Sequence, residues 1–359
     1  MIKKLQYFIG AGTDPHRNLA IEEYLTDTVP GDTCILYLWQ NRHTVVIGRN
    51  QNAWAECRTT ELERDSGTLA RRLSGGGAVY HDMGNLNFTF SLREADYDLR
   101  RQQSVIVEAC RLLGIPAEIS GRNDILTNGC KFSGNSFYNH AGCAFHNGTL
   151  LVSVDMANLG KYLTPSKAKL ESKGVASVRS RDINLTELRP SLTIAEMAQA
   201  MVQAFEHVYG LTAQELRESD FDEAEIARRY ERFHSYDWIY GKTFPLSFAC
   251  SERFAWGEVT LRLAVEKGVC TETAVYSDSM DAEFASALEK ALVGSRFTVD
   301  ALCARIRAVP ECAAYAADLC ALMEKQLLYP LAVPGGCGEL FGTAGAGDQV
   351  QVLAGKFRD

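Results

Sequence analysis

The stretch "RRLSGGGAVYHD", residues 71–82, places two arginines, a serine and three consecutive glycines directly before a predicted strand. Consecutive glycines expose backbone N–H groups with no side chains in the way, and such a concavity suits an anion or a ligand pressed against the main chain. Neither Walker A spacing nor a G-x-G-x-x-G motif that opens a helix is present. Taken alone, the triplet also fits a tight structural turn.

The composition is that of an ordinary soluble chain. Of 359 residues, 46% are hydrophobic and 23% are charged, which allows a large core and two domains. No segment reaches the roughly 20 apolar residues of a membrane span or resembles a signal peptide, so we expect a cytoplasmic protein that does not bind a membrane. The net charge of -8 argues against a general nucleic-acid binder, whose phosphate contacts need a basic face.

Eleven cysteines are scattered along the chain without a CxxC pair or neighbouring histidines at zinc spacing. This pattern predicts reduced, mostly buried thiols that act as small hydrophobic side chains. We therefore expect no structural metal.

Strands and helices are mixed without a regular βαβ alternation, which predicts an α+β fold with mixed sheets flanked by helices. Asp14 and Pro15 predict the start of a helix, and a capping box predicts another after Thr193. "CILYLW" (34–39) and "TVVIGRN" (44–50) are predicted as paired strands, and "AVYHDMGNLNFTF" (78–90) as a hairpin.

A polar stretch around 210–245 separates two predicted domains. The first covers residues 1–245, and a small α+β domain covers 246–327, with a hairpin that turns at Lys267. Residues 328–359 are rich in glycine and lack periodicity, so we expect a flexible tail.

The segment "GRNDILTNGCKFSGNSF" (121–137) places Asp124 and Lys131 on either side of a predicted turn at Asn128 and Gly129. They could lie on adjoining strands facing one cavity, where the lysine would be a fixed cation for a carboxylate or phosphate. A lysine beside a turn is also commonly a solvated surface residue. A third segment, "KGVASVRSRDINL" (173–185), is locally basic, and its alternative interpretation is a solvated loop.

Taken together, the motifs resemble the lipoate-protein ligase A family in order and spacing. The segments that carry the resemblance are "NLAIEE" (18–23), "LWQNRHTVVIGRNQN" (38–52), "RRLSGGGAVYHDMGN" (71–85), "GRND" (121–124), "KFSG" (131–134), "HNGTLL" (146–151) and "SVRSRDINLTEL" (177–188). "ERFAWGEVTLRLAVEKG" (252–268) resembles the start of the family's C-terminal accessory domain. The first predicted domain would then be the catalytic domain.

The resemblance implies a fold shared with biotin protein ligases and a two-step reaction. Lipoate and ATP with Mg²⁺ would give lipoyl-AMP and pyrophosphate. The lipoyl group would then pass to a specific lysine on a lipoyl domain of a 2-oxoacid dehydrogenase E2 subunit or on the glycine-cleavage H protein. The segment 173–185 resembles the family's loop that folds over the adenylate, which would exclude water from a hydrolysable anhydride.

The resemblance also implies roles for individual residues. Lys131 corresponds to the family's essential catalytic lysine, and Asp124 is the expected residue at the nucleotide's magnesium. The residues expected at lipoate are Trp39, Arg72, Ser74, Gly75, Gly76, Gly77 and Lys131. Those expected at ATP and the adenylate are Arg72, Gly77, Val79, His81, Asn123, Asp124, Lys131 and Arg181. The chain departs from the family at Asn147, where many relatives have histidine.

Two alternative functions remain open. An octanoyl or lipoyl transferase of the same fold would carry the acyl group on a cysteine thioester and need no ATP. Cys130 and Cys143 are the nearby thiols, but neither lies just upstream of the strand that bears the lysine. The other alternative is a non-catalytic lipoyl-AMP-binding protein.

Overall fold

The computed structural model describes residues 1–121, 124–164, 182–241 and 247–328. The strands in these ranges are β1 Lys4–Ile9, β2 Thr33–Trp39, β3 Thr44–Ile47, β4 Thr68–Arg71, β5 Val79–His81, β6 Asn85–Arg93, β7 Glu118–Ser120, β8 Asp124–Thr127, β9 Cys130–His140, β10 Cys143–Leu151, β11 Ala213–Glu215, β12 Phe248–Phe254, β13 Gly257–Glu266 and β14 Val269–Ser277. The helices are α1 Pro15–Thr28, α2 Ala53–Glu56, α3 Thr59–Arg64, α4 Leu99–Leu112, α5 Met156–Tyr162, α6 Ile194–Tyr209, α7 Glu223–His234, α8 Tyr236–Tyr240, α9 Phe284–Leu292, α10 Val299–Arg307 and α11 Ala316–Leu328.

Within the described ranges, the largest sheet has eight strands in the order β11-β1-β2-β6-β10-β9-β8-β7. β1 pairs in parallel with both β11 and β2, whereas the remaining pairs are antiparallel. Helices α4 and α6 cover one face of this sheet with an apolar core. The predicted α+β class with mixed sheets is confirmed.

Strand β6 shows why one face of the sheet carries polar groups. Its apolar residues Leu86, Phe88, Phe90 and Leu92 belong to the core beneath α4 and α6. Because successive side chains of a strand point to opposite faces, the alternate residues Asn85, Asn87, Thr89 and Ser91 lie on the other face. All four are buried. The sequence "NLNFTFSL" therefore builds a core on one side and a buried polar surface on the other.

Helix α1 packs against this polar surface. Asp14 caps its first turn by accepting hydrogen bonds from the N–H groups of residues 16 and 17, as the sequence predicts. Along the helix, Thr26 Oγ1 lies 2.8 Å from Ser91 Oγ, and Glu22 accepts a hydrogen bond from Thr89. Hydrogen bonds as well as apolar contacts thus hold α1 to the sheet.

A second, three-stranded sheet has the order β4-β3-β5 and supports the glycine-rich loop, which runs from β4 to β5. The expected pairing of 34–39 with 44–50 is wrong, since β2 pairs with β1 and β6 while β3 joins this sheet. The expected hairpin over 78–90 is also wrong, because β5 pairs with β3 and β6 joins the large sheet. In both cases a short turn leads the chain from one sheet into another.

The C-terminal unit contains the antiparallel sheet β12-β13-β14, with α9, α10 and α11 packed on it around a separate core. The turn between β13 and β14 falls at Lys267 and Gly268, as predicted.

The capping box after Thr193 is present at the start of α6. None of the helices in the described ranges combines the length and apolar character that a bilayer crossing requires. Most of the predicted tail lies outside the described residues.

Candidate active site

A cavity of about 260 Å³ lies where the polar face of the large sheet meets the glycine-rich loop. Apolar and charged side chains share its wall. The lining residues are Leu19, Trp39, Val46, Arg72, Gly76, Gly77, Ala78, Val79, His81, Asn87, Asp124, Lys131, Gly134, Asn135, Ser136, Asn147, Gly148, Thr149 and Met280. The lining thus combines groups that suit an apolar chain with groups that suit an anion.

Lys131 and Asp124 meet in this cavity because β8 and β9 form a hairpin around Asn128 and Gly129. Lys131 Nζ lies 2.7 Å from Asp124 Oδ1. Both side chains keep more than a third of their surface exposed, so solvent weakens the pair and each group remains reachable by a ligand. The predicted juxtaposition of these two residues is confirmed in geometry.

Arg72 is buried, and its hydrogen bonds hold the glycine-rich loop in place. Its guanidinium donates to the carbonyl oxygens of Gly75 and Gly77 at 2.6 and 2.8 Å and to Ser74 Oγ at 3.1 Å. Burial lowers the pKa of Arg72 to about 10, so the group stays cationic at neutral pH. Arg72 therefore fixes the loop and at the same time places a positive charge in the cavity wall.

The neighbouring Arg71 has a different role. Its guanidinium donates to backbone carbonyls on both sides of it, those of residues 48, 49 and 51 and those of Trp238 and Ile239. It does not line the cavity. Arg71 joins the segment after β3 to helix α8 and is a structural residue.

The loop glycines are packed more tightly than the sequence suggests. A Cβ at Gly75 would lie 2.3 Å from the carbonyl oxygen of Ser279 and 2.6 Å from that of Met280. The Gly76 N–H donates to the Ser279 carbonyl at 2.8 Å. The loop therefore rests on the segment 277–282 of the C-terminal unit. Ser74 and Gly75 lie behind the cavity wall, whereas Gly76 and Gly77 line it.

A buried hydrogen-bond network that the sequence analysis did not single out runs beneath the cavity. Asn147 Nδ2 donates to Glu22 Oε1 at 2.9 Å, and Ser136 Oγ donates to Asn147 Oδ1. Ser136 Oγ in turn lies 2.8 Å from Ser74 Oγ, which accepts from Arg72. Asn147 thus links helix α1 to the glycine-rich loop. The alternation of "NLNFTFSL" was the available signal for a polar surface here.

Glu22 is fully buried, and burial raises its pKa from 4.5 to about 7, although the bonds from Thr89 and Asn147 oppose this shift. In the described ranges, no group donates a hydrogen bond to its Oε2 atom. Folding thus favours the protonated carboxyl. The stability that this preference adds is fully present below the unfolded pKa and is lost as the pH rises through about 7.

We expect Glu22→Gln to change the free energy of unfolding in a pH-dependent manner. Glutamine keeps the acceptor oxygen and removes the charge that becomes unfavourable at high pH. Relative to the wild type, the variant should gain up to about 3 kcal/mol between pH 5 and pH 8, measured by urea unfolding. Glu118→Gln makes the same change on an exposed strand and is the control. An equal difference between Glu22→Gln and the wild type at both pH values would contradict the expectation.

His81 lines the cavity and is 3% exposed. Burial, with a smaller effect of the Arg72 charge, lowers its pKa to about 3, so the imidazole is neutral at physiological pH. Trp39 packs edge-on against it, and Val79 lines the cavity two residues before it.

Asn123 and Arg181 lie outside the described residues. Just beyond Arg181, the Ile183 N–H donates to the Lys131 carbonyl at 2.9 Å.

Among the described residues, no cysteine lines the cavity. Cys130 is half-buried next to Lys131, and Cys143 is buried at the start of β10 with an Arg93 guanidinium 3.1 Å from its sulfur. Neither thiol is placed to carry an acyl group in the cavity.

The cavity combines a lysine, an arginine and a carboxylate with apolar side chains, which is typical of a small-molecule binding site. Residues 14–206 match the family model of the lipoyl protein ligase A/B catalytic domain, and residues 243–322 match that of the bacterial lipoate protein ligase C-terminus. The chain therefore belongs to the lipoate-protein ligase A family and is a ligase.

Similar proteins agree with this assignment. A curated relative from Psychrobacter cryohalolentis, named lipoate-protein ligase A, is 38% identical over 88% of this chain and 97% of its own length. The structure of P. falciparum LipL1 in complex with lipoate is 26% identical, with a TM-score of 0.78, and covers 88% of this chain and 98% of its own. A bipartite lipoate protein ligase with its E2 lipoyl domain, from Thermoplasma acidophilum, is 25% identical with a TM-score of 0.59, over 68% of this chain and 98% of its own.

Proposed function

We propose that this ligase attaches free lipoate to a specific lysine of lipoyl domains or of the glycine-cleavage H protein, through a lipoyl-AMP intermediate. The observation that supports the proposal most directly is the cavity, whose lining contains Lys131 together with the apolar side chains of Leu19, Val46 and Trp39. An apolar acyl chain with a terminal carboxylate matches that arrangement. The relatives described as a lipoate complex and as a ligase with its E2 lipoyl domain support the substrate and the acceptor.

In the first step, a carboxylate oxygen of lipoate attacks the α-phosphorus of ATP and pyrophosphate leaves. Negative charge is shared by the carboxylate and the phosphate oxygens as the new P–O bond forms. Lys131 would stabilise that charge, because a cation already held in place by the fold needs no reorganisation when the charge develops. The glycine-rich loop, held by Arg72, would keep the carboxylate end in place.

In the second step, the ε-amine of the acceptor lysine attacks the lipoyl carbonyl carbon. The C–N bond forms, the bond to the phosphate oxygen of AMP breaks, and the amine loses a proton. Lys131 is again the cation nearest to the developing oxyanion in this scheme. The segment from 173 to 185 is proposed to cover the adenylate between the steps; residues 173–181 lie outside the described residues.

Magnesium is proposed to accompany the nucleotide. Asp124 is the carboxylate in the cavity lining, and Mg²⁺ commonly combines one or two carboxylates with phosphate oxygens and water. The residues therefore fit a metal that arrives with ATP. When bound, it would neutralise phosphate charge, and Asp124 would then divide its interactions between the metal and Lys131.

Pyrophosphate exchange into ATP that depends on free lipoate tests the first step without an acceptor protein. The proposed ligase should catalyse this exchange. A lipoyl transferase should not, and it should instead move the acyl group from an acylated carrier without ATP. A non-catalytic protein should bind lipoyl-AMP and perform neither reaction.

Replacing Cys130 and Cys143 together by serine should leave ATP-dependent lipoylation of a lipoyl domain within about threefold of wild type. Neither thiol lines the cavity, and the proposed reaction needs no thioester. Gel-shift or mass measurement of the acceptor reports the product. Acyl transfer without ATP that either cysteine change abolishes would overturn the ligase assignment in favour of a transferase.

A further inference from the structure

One ring nitrogen of His81, Nε2, is available to form a hydrogen bond with a ligand in the cavity. Within the part of the chain that the structure describes, His81 Nε2 is buried without a hydrogen-bond partner, and the side chain lines the cavity. A buried polar atom without a partner is unfavourable, so such an atom in a residue that lines a ligand cavity points to a partner on the ligand. Whether Nε2 donates or accepts depends on the tautomer, and the residues behind the ring determine it.

Those residues form an amide relay, made of Asn18 and Asn41, which begins at the backbone. Asn18 Nδ2 lies 2.8 Å from the Gln40 carbonyl, which can only accept, so the nitrogen of this amide is fixed on that side. Its oxygen accepts from Tyr37 Oη at 3.1 Å, which agrees with this orientation. Asn18 is 1% exposed and Asn41 is fully buried, so water does not offer alternative partners.

The orientation of Asn18 then fixes that of Asn41. Asn18 Nδ2 also donates to Asn41 Oδ1 at 3.0 Å. Asn41 Nδ2 therefore faces His81 Nδ1, at 3.1 Å, and donates to it. A nitrogen that accepts carries no proton, so the proton of the neutral imidazole is on Nε2. The Gln40 carbonyl thus fixes which atom donates and which accepts in each hydrogen bond from Asn18 to the His81 ring.

We propose that Asn41 is a positioning residue that holds His81 as a neutral Nε2–H donor for an acceptor oxygen of the ligand. This proposal rests on the proposed function. The acceptor is either the carboxylate of the acyl substrate or a phosphate of the nucleotide. Asn87, which also lines the cavity, adds a second donor of the same kind. Asn85 donates to its oxygen, and its buried Nδ2 has no hydrogen-bond partner among the described residues.

The assignment gives His81 a role distinct from acid-base catalysis. Its pKa of about 3 keeps the ring neutral throughout the physiological range, and Arg72 is the charged group that acts on it. A neutral donor holds an oxygen without exchanging a proton with it. The pairing of Nδ1 with an amide, where an acid-base histidine often has a carboxylate, explains how that state is maintained.

The tautomer can be read directly by ¹⁵N NMR of histidine-labelled enzyme. We expect the His81 signals, identified by their loss in His81→Gln, to show a protonated Nε2 and a bare Nδ1 between pH 6 and pH 9. A proton on Nδ1 in the wild type would overturn the proposal. This measurement does not depend on activity, so it stands even if the enzyme shows no lipoate-dependent exchange and the proposed function fails.

Asn41→Asp reverses the polarity of the relay, because a carboxylate can only accept. At pH 9 the neutral His81 ring should then carry its proton on Nδ1 and lose its donor. We expect the KM of the contacted substrate in pyrophosphate exchange to rise about 10- to 100-fold at pH 9. The introduced carboxylate opposes the loss of the second ring proton, so the pKa of His81 should rise in this variant and the KM should fall back towards the wild-type value as the pH is lowered to 6. A rise confined to lipoate or to ATP identifies the oxygen. A merely structural role would not produce this pH profile.

Asn52→Asp is the matched control, since it makes the same chemical change at the cap of α2, where an aspartate caps equally well. Its KM values should match the wild type at both pH values. His81→Phe keeps a ring and removes the donor, so it should raise the same KM at every pH, and His81→Gln should recover most of the loss. If His81→Phe folds with unchanged KM for both substrates, His81 donates to neither and the proposal is wrong.

Discussion

Lys131→Ala should reduce lipoate-dependent pyrophosphate exchange by at least about 100- to 1,000-fold, the loss typical of one preorganised donor at a developing charge. Lys131 is the ammonium in the lining of the cavity, 2.7 Å from Asp124. Its side chain is 35% exposed and its charge partner is similarly exposed, so folding depends little on the pair. The melting temperature should therefore stay close to that of the wild type.

Lys131→Arg should also be poor, because a planar fork does not replace a compact ammonium in a confined site. Lys161→Ala is the matched control, since Lys161 is comparably exposed and pairs with Asp65 on the surface. It should retain wild-type exchange. Activity of Lys131→Ala within about threefold of wild type would remove Lys131 from its catalytic role.

Gly48→Ala should lower the exchange rate about 100-fold and destabilise the fold by about 1–3 kcal/mol. Gly48 follows β3, and an added Cβ would lie 2.1 Å from the carbonyl oxygen of Gly76 and 3.3 Å from an Arg72 guanidinium nitrogen. The first distance is far inside van der Waals contact, so the glycine-rich loop would have to shift. That shift would displace both the loop backbone and the guanidinium that holds it.

The matched control is Gly31→Ala, because a Cβ there meets no atom within 4 Å. Steady-state exchange and urea unfolding should separate the two variants clearly. Wild-type kinetics for Gly48→Ala would show that the loop tolerates displacement and that its position matters less than the packing suggests.

The sequence predicted the elements whose signals are local. The cap at Asp14, the capping box at Thr193 and the turn at Lys267 each depend on a few consecutive residues, and all three are found. The meeting of Asp124 with Lys131 follows from one short hairpin. In each of these cases the determining contacts lie within about ten residues.

The errors concern partners that are distant along the chain. β2 and β3 are separated by a four-residue connection that looks like a hairpin turn, yet β2 pairs with β1 and β6. Which strand becomes the neighbour depends on how α1 and the core residues pack, and no local pattern encodes that. The same reason explains why Glu22 and Asn147, 125 residues apart, were not linked in advance.

The contact between the glycine-rich loop and the segment 277–282 has a consequence for engineering of the enzyme. Gly75 abuts two carbonyls of the C-terminal unit, and the Gly76 N–H is bonded to one of them. A library of variants that changes the loop to admit a bulkier acyl group would therefore also disturb the contact between the two units. Leu19 and Val46 also line the cavity, and neither is among the residues of the described loop contacts with Ser279 and Met280, so sequence variation should begin at these two positions.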